Sequence, residues 1–397
     1  MTIPLLVLSD HPTATSGLGR ITRELALRIH ERMSDTFRVA CLGCGATDRL
    51  FLPFQTWGIR QMKDWVVADL PECWKAFAGD ERGILLVIWD ASRILWLAQP
   101  EKHCPHTTPE ELKLRDFLLN KPFDLWTYSA IDADGPNGKL SVLLREVLRG
   151  CDRVLAYSEW SAAIVEKTLE GFPHKPIEAL PHGIDPAIWH PRGRDKARRK
   201  FGELVFDAEF SVKPEQFLIG IVATNQARKD FGTAIKAVAQ IAETEDVLIW
   251  IHTDTLERHW SLSALLYDYN LMNRCIVTHG QLTDEQLTWA YSACDVTFGI
   301  GLGEGFGYPI YESLACGIPC IHGNYAGGAE WLPKEFKIEP VAYRFEGTFG
   351  SVRPVYNAEQ WVDAATRLKN ETARLPKELD WNNLWPRWEE WLRKGIA

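Results

Sequence analysis

Short apolar runs of strand length alternate with amphipathic stretches along the whole chain, and that alternation leaves few folds open. In the first half the runs are residues 5–9, 37–42, 84–89, 125–129, 153–157 and 177–180. In the second half they are residues 217–224, 247–253, 275–279, 296–299 and 318–322. Helical stretches such as 21–33 and 233–243 lie between them. Strands separated by helices predict parallel sheets with helices on both faces. The pattern runs through twice and changes over near residues 186–191. A chain of 397 residues is long enough for two such domains, each with its own core. The expected fold class is therefore α/β, with two doubly wound parallel sheets whose ligands lie beyond the carboxyl ends of the strands.

One segment carries most of the chemistry. It reads Gly299-Ile-Gly-Leu-Gly-Glu304-Gly-Phe-Gly-Tyr-Pro309-Ile-Tyr-Glu312-Ser-Leu-Ala-Cys-Gly317-Ile-Pro319. Pro309 suits the start of a helix and Gly317 its C-terminal cap. The N–H groups of Gly305, Phe306 and Gly307, with the helix N-terminus behind them, predict a phosphate site. Glu304 and Glu312 supply hydroxyl acceptors on either side of it. A phosphate flanked by two polyols describes a sugar nucleotide.

The spacing Glu304-x7-Glu312 in this setting resembles the signature of the retaining GT-B glycosyltransferases of family 4. Pro181-His-Gly-Ile-Asp185, followed by Trp189-His-Pro191, resembles the family's inter-domain segment, and Gly327-Gly328-Ala329-Glu330 its Gly-Gly and acidic pair. The resemblance implies the GT-B fold, two Rossmann-like domains facing a central cleft. Residues 1–186 would form the acceptor-side domain and 187–375 the nucleotide-sugar domain, with residues 376–397 a closing helix that packs back on the first. It also implies a nucleotide diphosphate-sugar donor, no essential metal or other cofactor, Glu304 on the donor sugar and Glu312 on the ribose. The donor base would be held near Gly280-Gln-Leu282, which makes Leu282 a donor-binding candidate.

Three further positions are read with the family in view. After the run 217–224 comes Asn225-Gln-Ala-Arg228-Lys229-Asp230. Cations at a strand-to-helix turn can neutralise a diphosphate leaving group, whereas as mere helix-start residues they would oppose the helix dipole. The family has Gly-Arg, then Lys-Gly; here Ala223-Thr224 replaces the first pair and Asp230 the last Gly. Lys229 matches the family lysine and Arg228 supplies the guanidinium, so both are catalytic as well as donor-binding candidates. Near the N-terminus, Ser16-Gly17-Leu-Gly19-Arg20 resembles the family's glycine loop, with Gly17 and Gly19 at the donor phosphates and Arg20 reaching the diphosphate. Asp132, in Asp132-Ala-Asp134, stands where many members carry a histidine beside the transferred sugar, which makes it a catalytic candidate. Asp-x-Asp is also the metal motif of GT-A enzymes, and a plain turn with two solvated carboxylates is the competing reading.

Composition narrows the partners. The net charge of −9 argues against broad binding to nucleic acid or anionic lipid, apart from six cations between Arg192 and Lys200. That run is either a solvated helix face or a patch for a polyanionic acceptor. No apolar run approaches membrane-span length and no secretion signal is evident, so a cytoplasmic protein is expected. The nine cysteines, including Cys41-x-x-Cys44, read as reduced and buried. The tail Trp381-Asn-Asn-Leu-Trp385-Pro-Arg-Trp388-Glu-Glu-Trp391-Leu392 puts Trp381, Trp385, Trp388 and Leu392 on one helix face. The acceptor stays open: a saccharide, a protein, a small metabolite or a hydroxymethylated DNA base. A GT-B sugar-nucleotide epimerase and a noncatalytic sugar-nucleotide-binding scaffold are the alternative functions.

Overall fold

The computed structural model describes residues 2–47, 50–206, 212–280, 282–347 and 350–396. The chain divides into two compact units, Met1–Pro181 with Gly347–Ser351 and His182–Glu346 with Val352–Ala397.

The first unit is built on a seven-stranded parallel sheet: β1 Ile3–Asp10, β2 Phe37–Cys44, β3 Gln55–Gly58, β4 Gly83–Val87, β5 Phe123–Ser129, β6 Arg153–Ala156 and β7 Glu178–Ala179, in the order β3-β2-β1-β4-β5-β6-β7. Both faces of β1 and β4 are buried, which is why they read as continuous apolar runs. Leu6, Leu8, Leu42, Leu85, Val87, Trp74 and Phe123 belong to its core. β3 has no apolar run, because as a half-exposed edge strand it needs only its ladder with β2.

The second unit repeats the plan: β8 Phe217–Val222, β9 Val247–Thr253, β10 Cys275–His279, β11 Val296–Gly299, β12 Cys320–Gly323 and β13 Lys337–Ile338, in the parallel order β10-β9-β8-β11-β12-β13. The run 318–322 enters the sheet only at Cys320. Its start is spent on leaving the helix Tyr308–Ala315, where Gly317 takes φ 86° and the Ile318 N–H bonds to the Ser313 carbonyl. Two-residue β13 and the paired strands Ala342–Glu346 and Ser351–Val355 were not legible as apolar runs.

The tail folds as the helix Trp381–Lys394 with Pro386 inside it, and Trp381, Trp385, Trp388 and Leu392 are buried. Asp380 caps the helix and pairs with Ile184, while the indole of Trp381 lies over Gly183, where a Cβ would come within 2.6 Å of the ring. The glycine of Pro181-His-Gly-Ile-Asp185 is thus required by the tail helix.

The basic run opens the helix Arg194–Phe206, and its cations have separate fates. Arg198 is 2% exposed and donates to the carbonyls of Ala293, Lys213, Pro214 and Gln216 and to the carboxylate of Asp295 at 2.8 Å. Arg194 also pairs with Asp295, Lys200 pairs with Glu203, and Arg192 and Lys196 lie over the ring of Trp289. Most of this run holds the second unit together and is not a free anion-binding patch. Removing a partner of a buried pair costs about 3–5 kcal/mol, against about 0.5 kcal/mol for an exposed change. Arg198→Ala is therefore expected to lower the urea midpoint strongly, and Arg199→Ala, on the exposed face, to leave it in place.

Candidate functional site

In the second unit the winding reverses between β8 and β11, which run side by side. Two loops leave the carboxyl ends of these strands, residues 223–230 and 300–307. They are stitched together by backbone: Lys229 pairs with Gly301, the Asp230 N–H donates to the Ile300 carbonyl at 2.9 Å, and the Leu302 N–H to the Arg228 carbonyl at 2.8 Å. The first loop is pinned from below by Asn225. Its buried amide donates to the carbonyls of Thr255, Leu256 and Trp260 and accepts from the Trp260 N–H at 2.9 Å. Asn225 was not foreseen as a site residue, because its partners lie about 30 residues downstream and leave no local pattern.

The stitching brings three of the expected residues together. Lys229 Nζ bonds Glu304 Oε1, Arg228 Nη1 lies 3.2 Å from the same oxygen, and Arg228 also donates to the Gly303 carbonyl at 3.1 Å. Burial alone would raise the Glu304 carboxyl, but the charges of Arg228 and Lys229 outweigh it and hold the group at about 2. Gly301 leaves the space that this carboxylate fills. Gly307 sits at φ 88° as N-cap of the helix Tyr308–Ala315, a conformation that favours glycine. Among the described residues, the N–H groups of Gly305, Phe306 and Gly307 have no hydrogen-bond partner. Consecutive N–H groups at a helix N-terminus form a concavity suited to an anion.

The remaining members of the second unit lie on neighbouring elements. Glu312, one turn into the helix and 3% exposed, accepts a hydrogen bond from the Tyr291 hydroxyl at 3.0 Å. The ring of Phe306 lies 3.9 Å from that of His182 and 4.8 Å from that of Tyr311, whose hydroxyl donates to the Gly328 carbonyl. His182 therefore supports the loop through its ring. The Gly328 N–H donates to the Glu304 carbonyl at 2.8 Å, and a Cβ there would stand 2.7 Å from Glu304 Cβ and 3.2 Å from His322 Nε2. Leu282 precedes Thr283, the N-cap of the helix Asp284–Ala293, beyond the edge strand β10. Gln281 lies outside the described residues.

His322 is a further residue that the sequence reading passed over as the end of an apolar strand. It is 1% exposed, its Nδ1 is 2.5 Å from the Gly299 carbonyl, and its Nε2 is buried without a partner. A lone pair at Nε2 follows if Nδ1 carries the proton, as that contact requires. Burial lowers its pKa, against the pull of the Glu304 charge.

In the first unit, Ser16 caps the helix Gly17–Arg32, accepting from the Gly19 N–H at 3.0 Å. Gly19 is required because a Cβ would come within 2.8 Å of the carbonyls of Ala14 and His11. Arg20 begins the next turn, its N–H bonded to the Ser16 carbonyl. Asp132 follows β5 in a segment anchored by Ser161, whose hydroxyl donates to the Ile131 carbonyl. Among the described residues no group of three or more His, Cys, Asp or Glu is arranged to hold a metal ion, and no helix is long and apolar enough to cross a membrane.

Residues 206–382 match the family model described as glycosyl transferases group 1. Over 231 residues the chain is 24% identical to a D-inositol 3-phosphate glycosyltransferase of Pseudarthrobacter chlorophenolicus, covering 57% of this chain and 50% of the relative. The chain thus spans about half the length of that relative. Among solved structures, a sucrose-phosphate synthase from Thermosynechococcus elongatus aligns with TM-score 0.70 at 16% identity, over 100% of this chain and 99% of that one. Anabaena HepE in complex with UDP and glucose also aligns with TM-score 0.70, at 14% identity over 99% and 100%. The fold is the GT-B fold of glycosyltransferases. The matched segment takes in both stitched loops.

Two outcomes follow from this packing. Gly328→Ala forces a methyl against Glu304 and His322, and is expected to cost about 1–3 kcal/mol of stability, read by urea unfolding. His322 has a folded pKa below its ordinary 6.5, so the unfolded chain binds a proton that the folded chain refuses, and stability falls as pH drops below that value. His11 and His252 are lowered in the same way, again by burial. In His322→Gln the slope of stability against pH below 6.5 should therefore shrink without vanishing. Glu304 adds a second acid limb, present in full above 4.5 and lost as pH falls towards about 2.

Proposed function

We propose that the chain is a retaining glycosyltransferase that moves a sugar from a nucleotide diphosphate-sugar to the hydroxyl of a soluble acceptor. The observation that carries this reading is the meeting of Arg228, Lys229 and Glu304 beside the unpartnered N–H groups of Gly305 to Gly307. Two cations and a cradle of donors suit a diphosphate, whose charge grows as the glycosidic bond breaks. Without donor, the Glu304 carboxylate rests on those two cations. An arriving diphosphate takes over Arg228 and Lys229, and Glu304 turns to the hydroxyls of the sugar. Glu312 receives the ribose, and Leu282 lies on the side of the base.

The bond between the anomeric carbon and the diphosphate oxygen breaks while the acceptor oxygen bonds to that carbon from the same face. The acceptor proton passes to the departing phosphate oxygen, so no protein nucleophile takes part. The protein contributes positioning and charge stabilisation. The family resemblance further assigns Gly17, Gly19 and Arg20 to the donor phosphates and Asp132 to the reacting groups. The UDP and glucose held by Anabaena HepE support a sugar nucleotide as donor class. Neither the epimerase nor the noncatalytic scaffold gains support from a match to a transferase family.

Thermal unfolding against a panel of UDP-, GDP-, ADP- and dTDP-sugars tests the reading. One donor is expected to raise the melting temperature of the wild type and to lose most of that effect in Glu312→Ala. Lys229→Ala should lower turnover of that donor about 10²- to 10³-fold, the usual cost of removing one charge-stabilising group. No shift with any donor would overturn the assignment.

A further inference from the structure

The first unit has its own reversal point, between β1 and β4, and an aromatic surface stands over it. Asp10 ends β1, and its Oδ1 accepts from the indole Nε1 of Trp89 at 3.1 Å, just past the end of β4. Asp10 also accepts from the Ser16 hydroxyl and from the Cys44 thiol, whose pKa is pushed up to about 12 by burial and then by the Asp10 charge. Edge-on to Trp89, with centroids 5.9 Å apart and the planes at 72°, lies Trp65. Trp65 is carried on the turn of the antiparallel ribbon Met62–Lys63 with Val66–Val67, where both Asp64 and Trp65 have positive φ, 50° and 68°. A bulky residue in that region is a strained choice, so the ribbon holds this indole where it is at a cost. The guanidinium of Arg93 lies 3.8 Å from its ring centroid and is held by Asp90 at 2.9 Å. With a cation on one side and Trp89 beside it, Trp65 still leaves 39% of its surface exposed.

Building on the glycosyl-transfer reading, we propose that Trp65 is the platform of the acceptor site and that the acceptor presents an uncharged polyol ring, a pyranose or a cyclitol. The C–H face of such a ring covers the open indole, and its hydroxyls donate to Asp10 and Asp90. Carboxylates beside the platform repel phosphates, which sets a polyol ring apart from a nucleic-acid base that would stack equally well. Trp65 is a binding residue here and takes no part in the chemical step.

The probes are myo-inositol, methyl α-glucopyranoside, methyl α-mannopyranoside and an oligonucleotide containing hydroxymethylcytosine. Saturation-transfer NMR on the full chain reads ring binding without need of donor or turnover. Release of nucleoside diphosphate from the stabilising donor then reads transfer. At least one neutral ring is expected to show saturation transfer through its C–H protons and to stimulate release. Trp65→Ala should raise the KM for that ring about tenfold or more, Trp65→Phe should restore most of it, and donor-induced thermal stabilisation should be unchanged in both. That unchanged stabilisation separates failure here from failure of the donor assignment. Unaltered KM in Trp65→Ala, no binding of any neutral ring, or stimulation by the oligonucleotide alone would each overturn the proposal.

Discussion

The ion pairs that Glu304 makes with Lys229 and Arg228 join the loops after β8 and β11, and much of the second unit is arranged to make them possible. Two cations side by side repel each other, and a buried carboxylate alone would be protonated at a cost. Together they compensate, which is why the carboxyl is held at about 2 in spite of its burial. The surrounding glycines serve the same contact: Gly301 makes room for the carboxylate and Gly328 lies against its Cβ.

The two units apply one architectural rule with different chemistry. Each has a parallel sheet whose winding reverses beside its first strand, so that two neighbouring loops diverge and leave a crevice. In the second unit that crevice holds cations, free N–H groups and a carboxylate. In the first it holds Asp10, Trp89 and Trp65, with the guanidinium of Arg93 stacked on Trp65. The two crevices therefore differ in the charge they present. Arg192, Arg194, Arg198 and their neighbours belong to neither, because their charges are taken up by Asp295, main-chain carbonyls and Trp289.

Much of the fold was legible along the chain. Central strands buried on both faces must be apolar throughout, and the helix Tyr308–Ala315 announced itself through Pro309 and Gly317. Edge elements were not legible. β3, β13 and the strands Ala342–Glu346 and Ser351–Val355 owe their existence to partner strands more than to their own patterning. In the site, Arg228, Lys229, Glu304 and Glu312 could be picked out by residue type and spacing. Asn225 and His322 could not, because an asparagine in a loop and a histidine at a strand end acquire their roles from residues distant in sequence.

The sequence by itself determined the class of fold and the helix ends around the glycine-rich segment. These depend on local stereochemistry and on hydrophobic period, which neighbouring residues fully specify. Only the tertiary structure decided that Glu304 pairs with Lys229 and Arg228, that Arg198 is a buried strut and that Trp65 is set over Trp89. Those facts depend on which strands become neighbours and on the order in which the sheet is wound. Contacts between residues dozens of positions apart are set by packing and burial, and packing is a property of the folded whole.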